Sequence, residues 1–195
     1  NLPMKMIKLS YTVCYALFTM IGATDHHEYS PEQFSTCVEV AEEATNLNVS
    51  PVIAISTSYE ESRFNRDAVS YNGCCHGALQ INPSYFCPNR RLHDCNLIQG
   101  GIIALRNFHF RYARKNMSES YHIHPESNHQ EWSSPLCHYN AGNQCTRRSE
   151  AYARRIIRRA DRLSDIVYNL NVISKTQLAC AYDTHANTNT TYSIK

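Results

Sequence analysis

Residues 49–70 read VSPVIAISTSYEESRFNRDAVS, and this stretch decides the reading of the chain. Ser50-Pro51 is a helix start, because proline suits the first helical position, where its missing N–H costs nothing. The run that follows is apolar nearly all round, which marks a helix buried on every side. Glu60 and Glu61 stand at its far end, about three turns in. Successive helical residues point about 100° apart, so only one of the two carboxyl groups can face the core side. A carboxyl against apolar walls has its pKa raised, stays protonated near neutral pH, and suits donation of a proton to a glycosidic oxygen. The same pair also fits a solvated helix end.

The punctuation on either side is helical. Upstream, Ser30-Pro31-Glu32-Gln33 combines a cap, a first-turn proline and the glutamine of a capping box, and Phe34, Cys37, Val38, Ala41, Ala44 and Leu47 recur at helical spacing. Downstream, residues 65–94 are broken by Asn72-Gly73, Gly77, Asn82-Pro83 and Cys87-Pro88, which predicts loop or short-strand structure. Asp94 is a candidate cap for a helix with Leu97, Ile98, Ile102, Leu105, Phe108 and Tyr112 on one face. The polar stretch 115–131 reads as an exposed loop. Ser134-Pro135 opens a short helix stopped by Gly142, and Ser149 opens a long one with Tyr152, Ile156, Ile157, Ala160, Leu163, Ile166, Val167 and Leu170 along one side. Residues 181–195 read as a polar C-terminal tail with no apolar period.

At 195 residues and 43% hydrophobic content the chain suits one domain, taken as residues 24–180, with tails. Nineteen basic and 17 acidic residues leave a formal charge of +2, too small to mark a nucleic-acid partner. Residues 4–23 carry Lys5 and Lys8 ahead of an apolar run ending in Gly22-Ala23, the layout of an export signal, so residues 1–23 read as a leader or an N-terminal anchor. A first amphipathic helix is the other reading of the same run.

Nine cysteines point to an oxidising compartment and an exported, periplasmic or extracellular protein. Cleavage near Ala23 would remove Cys14 and leave an even set, Cys37, Cys74, Cys75, Cys87, Cys95, Cys137, Cys145 and Cys180. Cys87 with Cys95 and Cys137 with Cys145 are attractive pairs because each closes a short loop. Zinc is the rival use of Cys74-Cys75-His76, Cys87, His93 and Cys95, although the spacing matches no standard zinc module. No metal or cofactor is therefore expected. The arginines at 147, 148, 154, 155, 158, 159 and 162 read as a solvated face, or as an attraction to anionic wall polymers.

Three motifs in order carry a family resemblance. Pro51, Glu61-Ser62-Arg63-Phe64-Asn65 and Ala68-Val69-Ser70 form the first. Gly73 to Gln80, closing on Gly77-Ala78-Leu79-Gln80, form the second, and Tyr139-Asn140-Ala141-Gly142 with the later Glu150-Ala151-Tyr152 form the third. Over residues 49–160 the chain thus resembles the lytic transglycosylases of the goose-type lysozyme-like superfamily (the SLT domain). It departs from their pattern at Ala78-Leu79, where the family has Leu-Met, and in having Cys74-Cys75-His76 inside the loop.

The resemblance implies a mostly α, lysozyme-like domain with a small irregular or β element between residues 65 and 94. Its cleft would lie between the Glu61 helix and the loops carrying Gln80 and Tyr139. Glu61, rather than Glu60, would be the single acid and base that cleaves peptidoglycan glycan strands. Ser62 and Asn140 would orient it, and Leu79, Gln80, Tyr139 and Tyr152 would contact sugars. Asp67 is the nearest candidate for a second carboxylate. Two other readings stay open: a water-using muramidase of the same fold, and a wall-binding component of a secretion apparatus or virion. A free form is expected to be monomeric.

Overall fold

The computed structural model describes residues 4–25, 28–113 and 129–186, with side chains described for residues 9–23, 28–113 and 129–170. The architecture is mostly helical. In chain order it contains α1 (Met4–Asp25), α2 (Pro31–Asn46), α3 (Pro51–Ser62), the short α4 (Pro83–Phe86), α5 (Leu97–Tyr112), α6 (Ser133–Ala141) and α7 (Arg147–Ala186). The residues between α3 and α4 hold two isolated antiparallel bridges, Val69 with His76 and His76 with Ile81, and no strand occurs among the described residues.

α3 is the axis of the domain. Ile53 to Tyr59 are buried without a break, so no face of the helix is left to water. It packs between α2 and α7, while α6 sits between α5 and α7 and α1 lies across α2 and α7. One core joins them, with Leu17 of α1, Val40 of α2, Ile53 and Ile55 of α3, Ile102 of α5, Leu136 of α6 and Ile156 of α7 all fully enclosed. α3 stops in an uncommon way: Arg63 and Phe64 both take left-handed backbone, at φ 54° and 65°. Each costs of order 1 kcal/mol. Burial of the Phe64 ring against Phe18 at 5.5 Å between centroids offsets that strain.

The caps show how local chemistry sets the ends. At α2 the capping box forms as the sequence suggests, with the Gln33 amide N–H donating to Ser30 Oγ and the Ser30 N–H to Gln33 Oε1. At α5 the cap is Asn96, whose side chain accepts from the Gln99 N–H at 3.1 Å. Asp94 was the expected cap, but it is held in a preceding 3-10 turn beside the Cys87–Cys95 bridge. α7 begins at Arg147, two residues before the expected start, because Thr146 and Ser149 exchange hydrogen bonds around its first turn. Its backbone stays helical to Ala186, through the first six residues of the stretch read as a polar tail. Residues 187–195, and most of the polar stretch 115–131, lie outside the described residues.

The cysteine reading needs correction. Cys87–Cys95 and Cys137–Cys145 are bonded as the short loops suggest, but Cys37 pairs with Cys14, the residue that the leader reading set aside. α1 is a packed element whose Val13, Cys14, Ala16, Leu17 and Ile21 belong to the core. Cys74 and Cys75 are free thiols, and the Cys180 side chain lies outside the described residues. With Cys87 and Cys95 bonded to each other, the rival zinc set is dispersed. No helix among the described residues is long and apolar enough to cross a membrane.

Candidate active site

The two carboxylates at the end of α3 meet one stripe of α7. Residues 152, 155 and 159 are spaced three and four apart, so their side chains lie on one helix face. Arg155 and Arg159 both reach Glu60, with N–O distances of 2.6 and 3.1 Å, and Arg159 also donates to the Ser56 carbonyl and lies 4.4 Å from the centre of the Tyr59 ring. Glu60 is thus paired with two guanidinium groups. Glu61 meets the other residue of the stripe, accepting a hydrogen bond on Oε1 from the Tyr152 hydroxyl.

The two neighbours thus have different partners, arginines for Glu60 and a phenol for Glu61. Burial, with a smaller contribution from the Glu60 charge, raises the Glu61 pKa from 4.5 to about 7, and the Tyr152 hydroxyl partly opposes this by favouring the carboxylate. A carboxyl poised there can give a proton and take one back near neutral pH. Both Tyr139 and Tyr152 are held well above the ordinary phenol value, by burial first and by the Glu61 charge second, so each remains a neutral donor.

A concave space of about 740 Å³ opens between the irregular segment, α5 and α6. Its walls include Cys75, Gln80 and Asn82 from the irregular segment, Phe108 and Tyr112 from α5, and Tyr139 from α6. Glu61 is not among the residues lining this space, but its charge acts on two that are, Tyr139 and Cys75. Tyr85 is largely exposed at the rim.

The loop carrying Gln80 is braced from within. The Tyr139 hydroxyl donates to the Leu79 carbonyl at 2.7 Å, and Ser62 and Ser58 both donate to the Ala78 carbonyl, at 2.8 and 3.1 Å. The Gln80 amide donates to the Ala68 and Gly77 carbonyls, each at 2.9 Å, and holds Gln80 itself at φ 46°.

These contacts revise several expected roles. The Ser62 hydroxyl hydrogen goes to Ala78, so Ser62 braces the loop instead of orienting Glu61. Tyr152, expected against sugar, is buried and donates to Glu61. The Leu79 side chain is fully enclosed, which leaves its carbonyl as the part that matters at the site. Asn140 is exposed on the last turn of α6. Tyr139 and Gln80 do line the cavity, while Asp67 is exposed on a different hollow with Glu39 and Arg66.

Sequence reasoning passed over Arg155 and Arg159 by treating the arginine run as solvated. Their spacing from Tyr152 was the available signal. The aromatic wall was hidden for another reason: Phe108 and Tyr112 fall on the apolar stripe of α5, and periodicity does not separate a core face from a cavity face.

Tyr152→Phe removes the donor that favours the ionised form of Glu61. The Glu61 titration is expected to move upward, and the variant to lose about 1–2 kcal/mol of stability at pH 8 but much less at pH 5, where the carboxyl is protonated with or without the donor. Urea melts at the two pH values measure this. Equal losses at both would mean that the tyrosine acts only through packing.

Compared with family models, with curated proteins and with solved structures, the chain matches none of them.

Proposed function

We propose that this protein is a peptidoglycan lytic transglycosylase with a lysozyme-like fold. It would act outside the cell membrane, on the bond linking N-acetylmuramic acid to N-acetylglucosamine. The observation that carries the reading is Glu61: a largely enclosed carboxyl whose pKa is pushed up to about 7, bonded by the Tyr152 hydroxyl, and whose charge reaches Tyr139 in the wall of a cavity of about 740 Å³.

In the proposed reaction Glu61 first gives its proton to the oxygen between the two sugars, and that bond breaks. The resulting carboxylate, favoured by the Tyr152 hydroxyl, then takes the proton of the muramyl C6 hydroxyl as its oxygen closes on C1. A 1,6-anhydro ring forms, no water is consumed, and Glu61 ends as it began. Most glycosidases need two carboxylates, but an acetamido group of the substrate can replace the second. Glu60 is committed to two arginines, and Asp67 faces another hollow, so one working carboxyl fits these surroundings. Tyr139 and Gln80 line the space the sugars would enter, with Phe108 and Tyr112 as apolar faces for their rings.

Digestion of purified sacculi followed by mass spectrometry tests the reading. Anhydro-muropeptides, one water lighter than reducing-end products, are the expected result. Reducing ends would assign a muramidase instead, and sacculus binding without soluble product would assign a wall-binding component.

A further inference from the structure

We propose that Cys74 and Cys75 form a redox modification site on the cavity wall, closing on each other as a vicinal disulfide by exchange with a small-molecule disulfide. Their sulfurs lie 2.7 Å apart, whereas the other six cysteines with described side chains are already bonded in three pairs. The turn that presents them is prearranged. Ser70 Oγ accepts from the Cys75 N–H at 3.0 Å, the Ser70 N–H donates to the Cys75 carbonyl at 2.9 Å, and Asn72 Oδ1 accepts from the Cys74 N–H at 3.2 Å.

The two thiols have different parts in the exchange. Hydrogen bonding from Cys75, then from Ser70, holds Cys74 below the usual thiol value, while burial, then Cys74 itself, pushes Cys75 up to about 11. The Cys74 thiolate attacks the external disulfide and releases one thiolate from it, leaving a mixed disulfide on Cys74. Cys75 then loses its proton and attacks the Cys74 sulfur, and the second external thiolate leaves. The pair gives up two electrons and two protons, and the external disulfide becomes two thiols.

Adjacent Cα atoms are about 3.8 Å apart, shorter than the roughly 4.4–6.8 Å that an ordinary disulfide spans. The vicinal ring is therefore strained and is expected to be easier to reduce than an unstrained bridge. Cys75 shares the cavity wall with Gln80 and Tyr139, so ring closure stiffens a surface that substrate touches. This last step rests on the function proposed above; formation of the bond does not.

The test equilibrates the intact chain in glutathione buffers of graded redox ratio and maps fragments by mass. In the most oxidising buffer the fragment carrying Cys74 and Cys75 is expected to lack two hydrogens, with no glutathione adduct and no link to Cys180. Down the series it regains them before Cys87–Cys95 or Cys137–Cys145 opens. A stable glutathione adduct, a bond to Cys180, or two thiols persisting in the most oxidising buffer would overturn the proposal. The functional arm follows sacculus turnover in the same buffers. Reduction of the pair is expected to raise KM about fivefold with kcat retained, equivalent to roughly 1 kcal/mol of ordering cost at the wall. The double Cys74→Ser, Cys75→Ser variant is expected to show the higher KM at every ratio. A bond that forms and leaves KM unchanged would remove the cavity role. Absence of turnover in every buffer would count against the enzyme reading, with the fragment masses still deciding the bond.

Discussion

Glu61→Gln is expected to lower sacculus turnover by at least about a thousandfold, because the amide can neither donate the first proton nor take the second. The same variant is expected to be more stable than the parent at alkaline pH. The folded-state pKa of Glu61 lies above the unfolded value, so the native protein holds a proton that the unfolded chain has lost between pH 4.5 and about 7. Stability therefore falls as pH rises through that window, and above it the penalty is fully present. A shift of this size corresponds to roughly 3 kcal/mol as an upper figure, since each pKa unit is about 1.4 kcal/mol and the amide is an imperfect partner for Tyr152. The melting temperature of Glu61→Gln should exceed that of the parent by several degrees at pH 8 and match it near pH 4. Retained turnover would sink the assignment of Glu61. Equal melting temperatures at pH 8 would show that the carboxyl is not buried at a cost.

Gly101→Val should be the most damaging single change to the fold among those considered. A Cβ at residue 101 would stand 2.4 Å from Leu79 Cδ1 and 2.6 Å from Leu79 Cβ, and the second atom is too near the backbone to swing away. Overpacking of this kind costs about 3 kcal/mol or more, and a branched Cβ adds to it. The damage should reach the site as well, because the carbonyls of Ala78 and Leu79 are what Ser62 and Tyr139 hold. Urea melts with helical signal as the readout should show a much earlier midpoint, and turnover per folded molecule should also fall. Gly22→Ala is the control: nothing lies within 4 Å of its Cβ position inside α1, and loss of glycine from a helix should stabilise by about 0.5–1 kcal/mol. Similar midpoints for Gly101→Val and the parent would mean that α5 and the Leu79 loop pack more loosely than described.

Much of the helical framework was legible because its signals are local. The Ser30–Gln33 box, the prolines at residues 31 and 51 and the apolar run of α3 act within a turn or two, and each formed where the residues suggest. The choice of Glu61 over Glu60 rested on motif register; the structure supplies a physical difference, burial for one and two arginines for the other. What was not legible depends on partners far along the chain. Cys14 meets Cys37 across 23 residues, and the charged start and apolar run of α1 look alike in a leader and in a core helix. Tyr152 could be read as a site residue, but only the packing of α7 against α3 shows that its hydroxyl faces a carboxyl instead of the cavity. The Cys74-Cys75-His76 segment could be read toward disulfides or zinc, but not toward a contact between the two neighbouring thiols, since the turn that brings them together is set by Ser70 and Asn72.

The stripe of residues 152, 155 and 159 on α7 has a further consequence for how this site can change. Because one rigid helix face serves both carboxylates, a slide or rotation of α7 alters the phenol at Glu61 and the guanidinium groups at Glu60 together. Adjustment of Glu61 without disturbance of Glu60 must come from elsewhere, as through Tyr139, on which the Glu61 charge acts. Under the proposed function, variants selected for a new pH optimum should accordingly gather around the cavity and leave that face of the long helix untouched.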